Sequence, residues 1–385
     1  MNTKTLKINF DRKPFLLFFI PLFLFSIEII AQDNCTEIFQ LIQKKDSKAV
    51  KALIENDADV VFCMNNLKST PLIVAASVNQ FDLVKVLLKH HANVNAANNN
   101  GFTAVFFAAM NGNTEMVKLL IQEGADLKHK SNSGRYPVHY AASSGNLELF
   151  KSLLKNSDIK ILDESKASLL HWAAYGGNVE MFKYLQEKGL DAKYKDADNN
   201  TVLHWAASKG SIEMYHYLVD DLKFDIYEHD GFYNYPISSA FDYKNVEAIN
   251  FFLEKGFDPK TNLARGQTVL QLACYSGNAE LVKQILKLGV DVNATDDGGG
   301  TAINWAAMSG NTEIIDILLE QGANINPKYC TETMCSDAHS PLHSAAWRSP
   351  AMLKYLINKG ANVNIANEFG QTPLFSAIRN DSVRA

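Results

Sequence analysis

In the segment GNAELVKQILKLGVDVN, Gly277 to Asn293, apolar residues recur at i, i+3 and i+4 with Glu, Lys and Gln between them. That spacing predicts an amphipathic helix with one buried side. The pattern returns in GNTEMVKLLIQEGADL and GNTEIIDILLEQGANIN. A second pattern, T-x-L-H-x-A-A, precedes each of them. Its copies begin at Thr70, Thr103, Tyr136, Ser168, Thr201, Tyr235, Thr268, Thr301, Ser340 and Thr372. The spacings are 33, 33, 32, 33, 34, 33, 33, 39 and 32 residues. A fixed period of this size predicts a solenoid. The chain is therefore read as one array rather than as two or three compact domains.

The physics of one unit is readable from its residues. Thr or Ser is a good helix N-cap, and Pro at the next position suits the first turn. Leu and the Ala pair face inward on a short first helix, where Ala lets two helices approach closely. Gly then breaks the helix, and Asn113, Asn146, Asn178, Asn278 and Asn311 cap the second one. Glu follows two residues later, in the positive first turn. GAD or GAN ends that helix, with Gly supplying a left-handed C-cap.

These residues resemble the ankyrin repeat family, and the resemblance runs from about Cys35 to Ser376. It implies an all-α ankyrin-repeat solenoid of about ten helix-turn-helix units with β-hairpin-like finger loops. Glu37 to Val60 keeps the second-helix pattern without a T-P-L-H, which suggests an N-terminal capping repeat over residues 33–69. The array then spans residues 70–385, its last repeat incomplete. At about 8–10 Å between packed helices, ten units make an arc roughly 90 Å long. Two copies depart from the pattern. The Tyr235 unit has Phe241 where Ala belongs and Lys244 for the interhelical Gly, and the Ser340 unit has Pro350 and one residue fewer. The solenoid is expected to bend at both.

Composition changes this picture little. Of the 385 residues 47% are hydrophobic, enough to bury a core, and the formal net charge of -5 argues against nonspecific phosphate binding. The N-terminus stands apart. Lys4, Lys7, Arg12 and Lys13 form a basic start, and Phe15 to Ile30 is nearly apolar with one charge, Glu28. As a helix it spans about 24 Å, short of the ~30 Å hydrocarbon core. Residues 1–32 read as a secretory signal peptide, with an uncleaved anchor as the alternative. The expected location is secreted or periplasmic in a bacterium, without membrane insertion after cleavage.

The tempting chemistry dissolves on alignment. His139, His171, His204 and His343 sit three residues after the cap, where a side chain can reach back to the cap's N–H. Gln271 and Asn304 occupy the same place, so the role is structural. Glu213 belongs to a recurring set of first-turn acids, and His216 sits at a variable position. Trp172, Trp205 and Trp305 are read as packing residues. TDDGGGT, Thr295 to Thr301, lacks the Lys of a phosphate loop and the closing Glu of a calcium loop, so it reads as a turn. Cys274 replaces an inward Ala and should be a buried thiol. Cys330 and Cys335 are candidates for a disulfide. Free thiols, or a zinc site with His339 and His343, are the alternatives. Cys35 and Cys63 are candidates for a second bridge.

No catalytic, cofactor or metal residues are assigned, so function is expected on exposed, variable positions. In the family these are the finger tips and the concave side of the first helices. They map to Phe102, Met110, Arg135, Tyr175, Lys209, Phe232, Tyr233, Tyr243, Tyr275, Met308, Trp347 and Arg348. Tyr, Trp and Arg are the usual anchors of protein interfaces. An interface of roughly 800 Å² per partner needs three or four units. The expected function is a non-catalytic protein-binding scaffold, with no nucleic acid partner. The alternative is the targeting part of an enzyme whose catalytic domain lies outside this chain.

Overall fold

The computed structural model describes residues 34–154, 158–327, 340–367 and 369–379, with the side chains of Trp347 and Arg348 excepted. The apolar N-terminal segment and Cys330, Cys335 and His339 lie outside the described residues.

The described chain is a succession of antiparallel helix pairs. The pair α1 (Asn34–Gln43) and α2 (Ser47–Asn56) comes first. It is followed by α3 (Pro71–Ser77) with α4 (Phe81–Lys89), α5 (Ala104–Met110) with α6 (Thr114–Gln122), and α7 (Pro137–Ser144) with α8 (Leu147–Leu154). Then come α9 (Leu169–Tyr175) with α10 (Val179–Glu187), α11 (Val202–Lys209) with α12 (Ile212–His216), and α13 (Pro236–Asp242) with α14 (Val246–Glu254). The series closes with α15 (Val269–Ser276) and α16 (Ala279–Lys287), α17 (Ala302–Ser309) and α18 (Thr312–Glu320), α19 (Pro341–Arg348) and α20 (Pro350–Asn358), and α21 (Pro373–Arg379). No strand occurs among the described residues.

The caps behave as their residue types require. Thr70, Thr201, Thr268 and Ser340 accept backbone N–H bonds at the start of first helices. Asn113, Asn178, Asn245, Asn278 and Asn311 do the same for second helices. The single 34-residue spacing, Thr201 to Tyr235, coincides with a wide turn: α12 runs on into a π-helical segment, Tyr217–Asp221. A π turn takes up one more residue than an α turn, so it absorbs the insertion without shifting the next cap.

First helices pack side by side along the array, more intimately than second helices do. The Ala pairs at their interfaces, such as Ala75 and Ala76 or Ala173 and Ala174, are wholly buried. Close packing on one side and looser packing on the other curves the array, with the first helices and fingers on the inner side. The core is continuous from Ile38 to Ala361. On the outer side the first-turn acids take lysines from the preceding unit, Lys118 to Glu148 at 3.0 Å and Lys283 to Glu313 at 3.1 Å. α1 packs on α3, and the structure joins Cys35 to Cys63 with their Cα atoms 5.4 Å apart.

Most fingers are tight turns closed by a side-chain acceptor at the base, a place that Leu263 takes before Thr268. Asn98 Oδ1 accepts from the N–H groups of Asn100 and Phe102, both at 3.0 Å. Asp196 Oδ1 accepts from Asp198 at 3.0 Å and Asn200 at 2.8 Å. The Thr295 to Thr301 loop is such a turn: Asp296 Oδ1 accepts from Gly298 and Gly300. Several neighbouring fingers are joined by one backbone bond, for example Asn132 N to Asn100 O at 3.0 Å and Ala197 N to Ser165 O at 2.8 Å.

Candidate protein-binding face

The histidines three residues after the cap reach back to it, and His171, His204 and His343 also reach forward to the next unit. Nδ1 of His139, His171 and His204 accepts the N–H of Tyr136, Ser168 and Thr201 at 3.0, 3.3 and 3.2 Å. That fixes the proton on Nε2, which reaches the next unit: His171 to the Asn200 carbonyl at 3.3 Å, His204 to that of Asn234 at 3.1 Å. His343 spans Ser340 and the Gln371 carbonyl in the same way. Gln271 shows the same pattern in amide form, its Oε1 accepting from Thr268 N at 2.8 Å and its Nε2 donating to Gly300 O at 2.7 Å. Burial holds these imidazoles neutral. It pushes His139 down to about 3 and depresses His171 and His204. Among the described residues no group of three or more His, Cys, Asp or Glu is placed to hold a metal ion. Burial likewise pushes the Cys274 thiol far above its ordinary range.

The tryptophans are tied down by a second device, which the sequence reading missed. Trp205 Nε1 donates to Asp196 Oδ2 at 2.9 Å, and Trp305 Nε1 to Asp296 Oδ2 at 3.0 Å. Asp163 holds the corresponding place in the sequence before Trp172. The Asp stands nine residues before the Trp each time, a repeated spacing that was visible in the chain. In Asp196 and Asp296 one carboxylate oxygen closes the finger turn and the other holds the indole, so finger and inner helix are locked together there.

These locked rings form a stack across the inner side of α7, α9 and α11. Trp172 lies 5.1 Å from Tyr140 and 5.5 Å from Trp205, ring centre to ring centre. Tyr175 stands over both indoles at 6.4 and 6.3 Å, and the Lys209 ammonium lies 5.5 Å from its ring. The Arg135 guanidinium covers Trp172 at 5.1 Å, and its Nε is 3.8 Å from Asp163 Oδ2. Burial pushes the Tyr175 phenol up to about 12, and burial with nearby Tyr175 and Asp242 raises Tyr243 further. Near neutral pH the face therefore presents uncharged hydroxyls above a bed of aromatic carbon. A second, smaller pair, Tyr275 and Trp305, meets edge to face at 5.5 Å.

The expected contact residues divide accordingly. Tyr243 and Tyr275 are 38% and 43% exposed, Phe232 and Tyr233 are 59% and 70% exposed, and Lys209 is exposed. Tyr175, Met110 and Met308 are half-buried. Trp347 and Arg348 end α19, and their side chains lie outside the description. Two expectations are corrected. Phe102 is only 4% exposed, packed on Phe106 and Tyr140, and the Arg135 side chain is 12% exposed. Both directly precede a cap, as do the buried Ser69 and Ala167. The finger turn aims that position into the array, where an apolar residue staples the helix start. The true tip lies two and three residues before the cap, where Phe232 and Tyr233 stand.

Fold and face together define a helical repeat solenoid with aromatic side chains along its inner side. The comparisons with known proteins give the family. The model for ankyrin repeats (3 copies) matches residues 38–131, 138–230 and 237–329, and that for ankyrin repeats (many copies) matches 116–154 and 342–385. The chain belongs to the ankyrin repeat family. Repeats of this family are generally protein–protein interaction modules. A search of the curated proteins finds no match.

Proposed function

We propose that this chain is an exported, non-catalytic scaffold that binds a partner protein through the inner face of α9 to α15. The aromatic stack carries the reading. Trp205 is held by Asp196, and Trp172 is packed between Tyr140 and Trp205, so the phenols above them are held in place before a partner arrives. Preordered aromatic side chains bury large area at low entropy cost, which is what interface anchors need. Export is inferred from the basic start and apolar run before residue 33. The joined Cys35 and Cys63 fit an oxidising compartment.

The test compares two baits in crosslinked capture from the native host: the chain lacking residues 1–32, and the same chain with Tyr175, Tyr243 and Tyr275 changed to Ala. The altered residues are half-buried or exposed, so the variant should keep its unfolding midpoint. The expected result is one protein captured by the first bait and reduced at least 100-fold with the second. Equal capture by both would remove the inner face from the account.

A further inference from the structure

Three ties recur between successive units: side-by-side packing of first helices, a bond from the third residue of one first helix to the next unit's carbonyl, and a backbone bond between finger tips. All three fail together at one junction, between the α13–α14 and α15–α16 pairs. α13 meets α15 at few residues, whereas α11 with α13 and α15 with α17 pack closely. Phe241 stands on α13 where neighbouring units have Ala174, Ala207 and Ala307. The bridging residue of this unit is Ser238, too short to reach the next carbonyl, and its hydroxyl is buried without a hydrogen-bond partner. The finger bonds run up to the junction with Gly231 N to Asp198 O and resume with Asp297 N to Arg265 O, but none joins Phe232 to Ala264. His139 Nε2 also lacks a partner, yet there α7 packs fully on α9 and the finger bond from Glu164 to Ser133 persists.

An aromatic contact at the finger stems spans the gap. The Tyr227 ring stacks on Phe257 at 4.8 Å, and Tyr235 meets Phe257 at 5.7 Å. The Tyr227 hydroxyl donates to the Gly256 carbonyl at 3.1 Å and accepts from Asp258 N at 2.8 Å. The units are thus joined at the stem and parted along the inner helices.

We propose that this junction is a hinge: residues 34–254 and the units from Phe257 onward are two cooperative blocks that reorient about the Tyr227–Phe257 contact. In a linear array each unit is stabilised by its neighbours, so one weak interface uncouples what lies on either side. Tyr243 and Tyr275, both exposed, flank the gap, so the hinge angle sets their separation.

Hydrogen exchange read by mass spectrometry through a urea series tests this on the full chain. Peptides from α5 to α14 and peptides from α15 to α18 are expected to lose protection at two midpoints, roughly 0.5 M apart or more. A single shared midpoint would overturn the proposal. The variant Ser238→His with Phe241→Ala restores the bridge and the small side chain, and should merge the two midpoints. If it folds and the midpoints stay apart, these residues do not make the hinge. If it fails to fold, the wild-type result alone decides.

Discussion

Acidification from pH 7 to pH 5 should destabilise the protein by several kcal/mol, and three His→Gln substitutions should abolish most of that loss. His139, His171 and His204 are buried with their pKa values below the ordinary value of 6.5. Between the folded and unfolded values the unfolded chain binds more protons, so stability falls as pH falls. The contribution is complete above about 6.5 and is lost progressively toward the depressed folded values, at about 1.4 kcal/mol per pH unit for each histidine. Asp163, raised by burial, acts in the opposite sense, and it is common to both proteins, so the difference between their slopes isolates the histidines. Gln271 already shows that an amide makes both bonds. The triple variant should therefore keep its stability at pH 7 while losing the slope. Urea unfolding at pH 7, 6 and 5 reads both, and equal slopes in the two proteins would mean that the histidines titrate without penalty.

Trp172→Ala should cost about 4–5 kcal/mol, near the top of the range for a buried aromatic side chain. Trp172 is 1% exposed and touches Tyr140, Trp205 and Tyr175. Its loss opens a cavity, and it also leaves Arg135 without its cover. Trp172→Phe fills most of the space and should lose about half as much. Urea unfolding ranks the three proteins. Equal stability of the Ala and Phe variants would show that filling the ring's place is not what matters.

The sequence made the repeat, the caps and the inner helices legible because each rests on local chemistry repeated ten times. Thr or Ser before Pro, paired Ala and Gly after a second helix announce themselves by position. The structural role of His171 and His204 was legible in the same way, since Gln271 and Asn304 take the same place. Their reach into the next unit was not, because period alone does not say which groups of adjacent copies come within 3 Å. The Asp–Trp pairing left a signal, a constant nine-residue interval, which only gains meaning once the finger is seen to fold back on its own helix. Phe102 and Arg135 were placed on the surface because hairpin tips were judged by composition. The turn aims the residue before the cap inward, and Trp172 with Asp163 then draws Arg135 down. The hinge was half legible: Phe241 and Lys244 marked the unit as irregular, while the missing reach of Ser238 needed the geometry of its neighbours.

The inner aromatic face is the centre of the account, and site-specific photocrosslinking tests it most directly. A photoreactive phenylalanine would replace Tyr243 on the inner side in one protein and Lys283 on the outer side in another, both expressed in the native host. One discrete crosslinked partner is expected from position 243 and none from position 283. The same partner trapped only from position 283 would place the binding surface on the outer helices and contradict it.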